Sequence, residues 1–401
     1  MKNKVGPAKL RGGYYTPEPI TQFICDWAIS PSTQNILEPS CGDGAFIRQA
    51  VKKTAADKII GVELYDGEAK KASLYGTNMV CGDFFEYYKN HIADKQKYDA
   101  IVGNPPFIRY QNVDATARET AFELMRQAGL HPNKLTNIWL PFLVLSALAL
   151  SQNGKLGMVI PAELFQVNYA GETREFLAEY FDRLILITFQ KIVFDDIQQE
   201  VILLLGERTS DKKGIQVIEL NDLEDLQHLD LSNFHHYEVK ELHHSDEKWI
   251  KYFLSCEEIE LMRRLRGRSD IMPTTDLFET NVGLVSGENS FFLLNQELVE
   301  KYHLAHATRT IIGKTDQLKG IILTKRDFSQ LVENGRKVYM FAPKNVPLPK
   351  LSKEEQSYIK YGEESAFHTR YKCRIRKNWY CVPQSWEPQA FILRQVHRYP
   401  R

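Results

Sequence analysis

Short apolar runs alternate with helical patterns along the first half of the chain, and most runs end in polar or turn-forming residues. Buried strands are predicted around 36–38, 59–64, 79–83, 99–102, 155–160, 183–188 and 200–205, and helices over 20–27, 46–53, 114–130, 137–151 and 173–180. The first helix is expected to follow Thr16 as its N-cap, with Pro17 at its first position. This alternation predicts an open α/β sheet, in which ligands bind at the carboxyl ends of the strands.

The fourth apolar run, 100–102, leads through a glycine into the sequence Asn104-Pro105-Pro106-Phe107. The prolines cannot donate backbone hydrogen bonds and they hold the chain extended, so the asparagine is presented at the edge of the sheet. The Asn104 side-chain oxygen and the Pro105 carbonyl can each accept one hydrogen of an exocyclic amino group, and Phe107 can stack on the ring that carries it. An ordinary strand-ending turn is the alternative, because Asn and Pro are common there.

A glycine loop follows the first run, with the sequence Glu38-Pro39-Ser40-Cys41-Gly42-Asp43-Gly44. Its glycines allow the backbone to approach a ligand closely. The loop is not GxGxxG and no Gly-Lys-Ser/Thr follows it, which excludes a P-loop. Glu38 and Asp43 would repel a diphosphate and suit a ligand with a cationic end, such as an amino group or a sulfonium. A plain strand-to-helix turn is the competing interpretation.

Two acids extend the pattern at the ends of the second and third runs. Glu63, which lies about 20 residues after the glycine loop, suits ribose hydroxyls. Asp83 could accept a hydrogen bond from an adenine amino group, and Phe84 could stack on the adenine. The glycine loop, Glu63, Asp83 and Asn104 therefore predict one nucleotide-type site at the carboxyl edge of the sheet.

The second half of the chain has a different pattern. Residues 211–229 are acidic and are predicted to be loosely structured, a helix is predicted over 255–268, and 281–294 is predicted to be rich in β-structure. Basic residues alternate with aromatic ones near the C-terminus, on what is expected to be a β-rich platform, and this pattern is typical of nucleic-acid binding. From residue 366 onward the basic residues are Arg370, Lys372, Arg374, Arg376, Lys377, Arg394, Arg398 and Arg401, against the single acid Glu387. A solvated basic tail is the alternative.

Composition narrows the class of protein. The 401 residues leave room for two or three domains, and the formal net charge is zero, so a nucleic-acid surface requires segregation of charge. The six cysteines form no CxxC pair and the two His-His pairs lack the context of a metal motif, so no metal site is expected and a reducing compartment is favoured. No signal peptide and no membrane span are predicted, and a cytoplasmic protein is expected.

The motifs of the first half resemble the S-adenosylmethionine-dependent DNA adenine-N6 methyltransferases of bacterial restriction–modification systems. The resemblance rests on Tyr15-Thr16-Pro17, the loop from Glu38 to Gly44, Glu63, Asp83-Phe84 and Asn104-Pro105-Pro106-Phe107. Because the cofactor motif precedes Asn-Pro-Pro-Phe and a large C-terminal region follows, the order is similar to that of the gamma subgroup. Two C-terminal segments, 283–289 and 374–380, resemble that family's recognition domains. The chain stops inside this region, so fuller members are expected to continue.

The resemblance implies a Rossmann-like class I methyltransferase domain over 1–210, with a mixed, mostly parallel sheet and helices on both faces. It also implies a connector or hinge over 211–270 and an α+β target-recognition domain over 271–401. S-adenosylmethionine would be the cofactor and double-stranded DNA the substrate of a monomeric enzyme, with any cognate restriction endonuclease acting separately.

The site residues implied by the resemblance fall into three groups. The target adenine would be flipped out and held by Asn104, Pro105, Pro106, Phe107 and Phe194. The cofactor would be held by Tyr15, Thr16, Pro17, Glu38, Ser40, Cys41, Gly42, Gly44, Phe46, Glu63, Leu64, Asp83, Phe84 and Asn104. DNA would be contacted by Arg109, Arg370, Lys372, Arg374, Arg376, Lys377 and Trp379.

Three other functions stay open on the sequence. Asn-Pro-Pro-aromatic motifs also serve methyltransferases of RNA bases and of protein glutamine side chains, and a catalytically inactive DNA-binding specificity module is a further alternative. The basic and aromatic C-terminal segment favours DNA, and the intact motif set favours an enzyme. A built-in nuclease would have to use Glu238-Val239-Lys240, which lacks a convincing partner acid.

Overall fold

A computed structural model of the chain describes residues 16–93, 95–194, 200–243, 247–383 and 387–392. The chain divides into two compact units, Met1–Ile271 and Met272–Arg401. Within the described ranges no helix is both long and apolar enough to cross a bilayer, and no three His, Cys, Asp or Glu side chains are grouped so that they could hold a metal ion.

The first unit is built on one sheet of eight strands. The strands are β1 Ile36–Glu38, β2 Ile59–Glu63, β3 Asn78–Cys81, β4 Tyr98–Gly103, β5 Leu150–Pro161, β6 Arg183–Phe189, β7 Val201–Glu207 and β8 Gly214–Leu220. Their spatial order is β3-β2-β1-β4-β5-β7-β6-β8. Neighbours from β3 to β5 pair in parallel, β7 is antiparallel to both β5 and β6, and β6 pairs in parallel with β8. The mixed, mostly parallel sheet expected from the sequence is confirmed.

Helices cover both faces of this sheet. They are Glu18–Ala28, Ala45–Ala50, Asp66–Ser73, Phe84–Tyr87, Ala115–Gln127, Trp139–Leu148, Gly171–Tyr180, Leu223–His228 and Cys256–Arg266. Successive strand residues point to opposite faces, so Leu37 and Ile101 belong to one hydrophobic cluster and Ile36 and Val102 to another. The helices supply the rest of each cluster, which explains why these strands are apolar on both sides.

The predicted N-cap of the first helix is wrong. The helix Glu18–Ala28 begins after Pro17, which is its N-cap and makes no side-chain capping bond. Thr16 is buried and bonds to the Asn104 side chain instead. A residue suited to capping has therefore been used to join two segments that lie far apart in the sequence.

The prediction of loose structure over 211–229 is also wrong, because β8 completes one edge of the sheet there and the helix Leu223–His228 follows it. The polar residue that interrupts the apolar pattern of β8, Gln216, is buried and fully engaged. It accepts from the Arg183 guanidinium and donates to the carbonyls of Phe234 and Tyr237.

The second unit combines short helices with a small antiparallel sheet. Its helices are Thr274–Leu277, Asn289–Phe292, Gln296–Lys301, Lys325–Glu333, Lys353–Glu364 and Tyr371–Arg374, and its strands are β9 Leu293–Leu294, β10 Thr308–Thr310 and β11 Tyr339–Phe341 in the order β10-β11-β9. The expected α+β class is confirmed. The β-rich segment expected over 281–294 is wrong, because only β9 pairs with another strand there.

The core of the second unit is aromatic. Phe291 stacks on Tyr358 with ring centroids 4.8 Å apart, and the Tyr358 hydroxyl donates to the Phe291 carbonyl at 2.7 Å. Trp379 packs on the same phenylalanine. Gly362 is required at its position, since a Cβ there would come within 2.6 Å of both Phe291 and Trp379 side-chain atoms.

Candidate active site

Asn104 lies directly after β4, where two other segments hold it. Its Nδ2 atom donates to Thr16 Oγ1 at 3.1 Å, and its backbone carbonyl accepts from Ser40 Oγ at 3.3 Å. The first contact comes from the segment before the first helix and the second from the glycine loop after β1. Thr16 thus orients the side-chain amide and Ser40 holds the backbone, although both residues lie far from Asn104 in the sequence.

The residues after Asn104 are fixed by packing. Pro105 is buried and Pro106 is half-buried. The half-buried ring of Phe107 contacts the hydrophobic clusters on both faces of the sheet. The carbonyl of the next residue, Ile108, accepts a hydrogen bond from the Ile138 backbone N–H at 3.0 Å, which joins the loop to the start of the helix Trp139–Leu148. Arg109 is exposed.

Glu38 is the most deeply buried acid of the site, with 2% of its surface exposed. Among the described residues, its Oε2 atom has no hydrogen-bond partner. Burial raises the pKa of this carboxyl well above its usual range, and the Asp43 and Glu63 carboxylates add to the rise, while a bond from the Ile47 backbone N–H opposes it. A buried carboxylate without a counter-charge is a site for a cationic ligand group.

The loop between Glu38 and the next helix reaches a left-handed conformation at two glycines. Gly42 has φ 54° and Gly44 has φ 87°. A Cβ at Gly44 would lie 3.1 Å from Ala72 atoms, whereas nothing lies within 4 Å of a Cβ at Gly42. The backbone at Gly42 therefore has open space beside it where a ligand can approach.

Glu63, at the end of β2, closes this loop. Its Oε2 atom accepts from the Gly42 backbone N–H at 2.8 Å and its Oε1 atom from the Tyr65 backbone N–H at 2.9 Å. Burial raises the pKa of the Glu63 carboxyl in spite of these two hydrogen bonds. The side chain of the following residue, Leu64, is 55% exposed.

Asp83 lies after β3 and caps the short helix Phe84–Tyr87. Its Oδ1 atom accepts from the backbone N–H groups of Phe85 at 2.8 Å and Glu86 at 3.1 Å, and burial raises its pKa. Phe84 is buried and stacks on Phe142 at 5.0 Å. Phe142 was not singled out from the sequence, because it lies inside a helix that is apolar all round and carries no motif.

The remaining predicted site residues differ in how deeply they are buried, and some lie outside the described residues. Cys41, Phe46 and Phe194 are buried in the same hydrophobic cluster, on the face of the sheet that the first helix covers. Pro17 is half-buried. Tyr15 lies outside the described residues, as do Arg394, Arg398 and Arg401.

In the second unit, the two segments that resemble recognition domains lie against each other. Arg370 pairs with Glu288 at 3.2 Å, and Arg376 donates to the Val285 carbonyl at 2.9 Å and lies over the Phe292 ring. A Cβ at Gly287, which has φ 91°, would come within 2.8 Å of Lys372 Cβ. The basic residues lie on a helix and turns, so the expected β-rich platform is wrong.

The predicted DNA-contacting residues of this unit therefore divide into two groups. Arg370, Arg376 and Trp379 have partners within the unit, and the Trp379 indole N–H donates to Glu363 at 3.1 Å. Lys372, Arg374 and Lys377 are exposed, as is Arg370, and Lys372 lies over the Tyr371 ring.

Charge is segregated between the two units. Residues 272–401 contain 20 Lys and Arg against 13 Asp and Glu, whereas residues 1–271 contain 31 against 38. The net charge of zero thus hides a surplus of seven positive charges in the second unit and an equal negative excess in the first. The acidic edge of the sheet suits a cationic ligand, whereas the basic second unit suits an anionic one.

The strand order, the single antiparallel strand β7 and the glycine loop beside Asn-Pro-Pro-Phe define a class I methyltransferase domain. A sequence model of the N-6 DNA Methylase family matches residues 3–261, and the chain belongs to that family. A second model, described as the C-terminal domain of the Type II methyltransferase M.Eco57I, matches residues 246–401.

Several named proteins are similar to the chain. It is 24% identical over 392 residues to the Type II methyltransferase M.AccI of Acinetobacter calcoaceticus, an alignment that covers 92% of this chain and 68% of that protein. It is 25% identical over 214 residues to M.HincII of Haemophilus influenzae, covering 52% of this chain and 40% of that protein. The chain thus spans about two thirds of one relative and less than half of the other.

The fold is also found in solved structures. The cryo-electron-microscopy structure of a DrdV–DNA complex matches 82% of this chain and 42% of that chain, with a TM-score of 0.55 at 14% identity. A nuclease-deletion mutant of the Type ISP restriction-modification enzyme LlaGI in complex with a DNA substrate mimic matches 73% of this chain and 36% of that chain, also with a TM-score of 0.55. At this level of identity the likeness concerns the fold alone.

Proposed function

We propose that this protein is a site-specific DNA methyltransferase that transfers a methyl group from S-adenosylmethionine to N6 of adenine, as the modification enzyme of a restriction–modification system. The observation that carries the proposal is Asn104, which Thr16 and Ser40 hold at the carboxyl edge of the sheet, the edge that also carries the buried carboxyl groups of Glu38 and Glu63. The named relatives are Type II methyltransferases, which agrees with this activity.

The acidic edge fits S-adenosylmethionine. This cofactor supplies an activated methyl group on a cationic sulfur. Glu38, whose Oε2 atom lacks a partner among the described residues, would face the cationic amino-acid end together with Thr16 and Pro17. The open side of Gly42 would admit the cofactor, and Glu63 would take the ribose by exchanging one of its backbone hydrogen bonds.

The adenine end of the cofactor would lie between the second and third strands. Asp83 keeps its Oδ2 atom for the adenine amino group, because both capping bonds of the helix use Oδ1. Phe84 and its stacked partner Phe142 would form the apolar floor beneath the ring. The family resemblance implies Phe84 for this pocket. We add Phe142 because its ring stacks on that of Phe84.

The target adenine would be held by the loop after β4. The base cannot be reached inside a duplex, so it must leave the stack at a cost of a few kcal/mol. Stacking on Phe107, with Phe194 packing nearby, would offset part of this cost at about 1–3 kcal/mol per base. Hydrogen bonds from N6 to Asn104 Oδ1 and the Pro105 carbonyl would favour a pyramidal nitrogen and localise its lone pair for attack on the methyl group. Catalysis is then by positioning and electrostatics.

The same proposal assigns roles to the parts of the chain. Residues 1–210 would carry out the transfer, and 211–270, which also supply β8 to the sheet, would connect them to 271–401, which would recognise double-stranded DNA through the surplus of positive charge. The enzyme would act as a monomer, and any cognate endonuclease would be a separate protein.

The substrate class is tested by offering labelled S-adenosylmethionine together with unmethylated genomic DNA, total RNA or a protein extract. We expect label in DNA only, recovered on nucleoside analysis as N6-methyladenine in one sequence context. Label in RNA or in protein glutamine would support the rival methyltransferases and refute this proposal. DNA binding without any transfer would indicate an inactive specificity module.

A further inference from the structure

One loop of the second unit exposes large apolar side chains to solvent. In the segment 318–323, Ile321 is 105% exposed relative to a free residue, Ile322 is 76% exposed and Leu323 is 37% exposed. Scattered exposed apolar residues are common on proteins, but two adjacent isoleucines at a loop tip form a continuous apolar surface that faces solvent.

Both ends of this loop are held firmly. On one side the buried Gln317 accepts from the backbone N–H groups of Gly313 and Lys314, and donates to the Lys337 carbonyl at 3.2 Å. On the other side Thr324 and Asp327 form a reciprocal capping box at the start of the helix Lys325–Glu333. The isoleucines are therefore carried by a short loop between two fixed points.

The apolar tip is flanked by cations. Lys319 precedes it, and Lys325 and Arg326 follow it, all three exposed. The neighbouring acids are engaged within the unit, since Asp316 pairs with Arg336 and Asp327 accepts from Thr324. The local charge complements a phosphate backbone, and the whole unit carries the surplus of positive charge described above.

We propose that this loop is a DNA wedge, in which Ile321 and Ile322 insert between stacked bases while Lys319, Lys325 and Arg326 contact the flanking phosphates. Apolar side chains inserted at a base step partly unstack it and deform the duplex, and basic residues around them supply the binding energy. The inference rests on the proposed DNA substrate and extends it, because it assigns the second unit a role in deforming DNA.

The wedge is tested by the unwinding that insertion causes. Closed circular plasmid is relaxed by a topoisomerase in the presence of the full chain, and the change in linking number is measured. We expect the wild type to shift the linking number and the double variant Ile321→Ser/Ile322→Ser to lose the shift. DNA affinity should fall by about tenfold for each isoleucine removed from an apolar contact.

The matched control is Leu74→Ser, which replaces a side chain that is 84% exposed in the first unit and should change neither unwinding nor affinity. Equal thermal unfolding of all three proteins establishes that they are folded. The wedge is refuted if the double variant unwinds plasmid as well as the wild type does, or if the wild type methylates DNA without unwinding it. It is also refuted if the isoleucines are needed only for binding anionic phosphatidylserine vesicles. A wild type that neither binds nor methylates DNA would refute the proposed function itself.

Discussion

Asn104 is held in part by contacts from two other segments. Thr16 accepts from its side-chain amide and Ser40 donates to its backbone carbonyl. A hydrogen bond of this kind contributes about 1 kcal/mol, which is enough to change how often the Oδ1 atom is correctly placed. Residues that are not assigned to the target base can therefore affect the rate of transfer.

Replacing Thr16 by valine should lower kcat by about five- to tenfold, because the amide loses the acceptor that orients it. Thr16→Ser should keep most of the activity. Thr21→Val is the matched control, since Thr21 is buried in the adjoining helix and donates to the Glu18 carbonyl. It should lower the free energy of unfolding in urea without lowering kcat. A Thr16→Val enzyme with wild-type kcat would contradict the positioning role.

Glu38 should make the ligand-free protein less stable as the pH rises. In the unfolded chain a glutamate titrates at about pH 4.3, whereas burial raises the pKa of Glu38 well above that in the folded protein. Below the unfolded pKa both states are protonated, and above it the folded state alone retains the proton, so stability falls until the folded pKa is passed. Glu38→Gln removes this loss and keeps an acceptor for the Ile47 N–H.

The expected result, without cofactor, is a thermal midpoint for Glu38→Gln that exceeds the wild-type midpoint by an amount that grows as the pH rises above the pKa of an unfolded glutamate. Calorimetry should show that the variant has lost S-adenosylmethionine binding. A difference in midpoint that is the same at every pH would show that Glu38 does not titrate in this way.

The sequence predicts the type and order of the site residues better than their contacts. Glu38, Glu63, Asp83 and Asn104 were assigned to one edge because each ends a strand. The bond between Thr16 and Asn104 could not be predicted, since it joins residues 88 positions apart and a threonine before a helix favours capping by type alone. Phe142 was missed for a related reason, since nothing in an all-apolar helix distinguishes one aromatic ring from its neighbours.

At the scale of elements, the first helix and β5 approach closely at a glycine. A Cβ at Gly157 would lie 2.5 Å from Ile24 Cγ2, so the helix Glu18–Ala28 could not pack where it does over any larger residue. Thr16 lies just before that helix. The position of the helix on the sheet therefore also determines where Thr16 meets Asn104.

Gly157→Ala should destabilise the protein by about 1–3 kcal/mol through overpacking. Gly67→Ala is the control, because Gly67 lies in the helix Asp66–Ser73 with nothing within 4 Å of a Cβ, and it should gain about 0.5–1 kcal/mol. Urea unfolding measures both. Equal free energies of unfolding for Gly157→Ala and the wild type would mean that the helix can shift without cost.

The sequence predicts an element where burial in the core gives it a regular apolar pattern. It does not predict an element whose conformation depends on tertiary contacts. The central strands are apolar on both faces, and the sequence pattern predicts them. The strand β8 was missed because the chain around it is acidic and Gln216 breaks its apolar pattern, although the Arg183 guanidinium satisfies that residue. Over 281–294 the sequence predicts β-rich structure, but Val282 and Val285 are exposed and only Leu293 and Leu294 pair with another strand.

At the scale of the whole molecule, the balance of charge differs between the two units. The exposed residues Arg374 and Lys377 are candidates for phosphate contacts, whereas Arg376 is held by the Val285 carbonyl. Each phosphate contact that is lost should reduce the slope of log K against log salt concentration by about 0.9.

The double variant Arg374→Ala/Lys377→Ala should therefore reduce the slope of log K against log salt concentration by about 0.9 for each of its two lost contacts. Lys89→Ala/Lys212→Ala removes the same charge from exposed positions of the acidic first unit and should leave the slope unchanged. Fluorescence anisotropy over a range of salt concentrations measures it. Equal slopes for the two double variants would mean that the basic segment near the C-terminus does not contact phosphates.

The most direct test of the account compares wild type and Asn104→Ala in transfer of labelled methyl from S-adenosylmethionine to unmethylated DNA, with cofactor affinity measured separately by calorimetry. The account predicts N6-methyladenine from the wild type, and from Asn104→Ala no transfer with cofactor still bound. Transfer by Asn104→Ala at close to the wild-type rate would contradict the role given to this residue and with it the proposed mechanism.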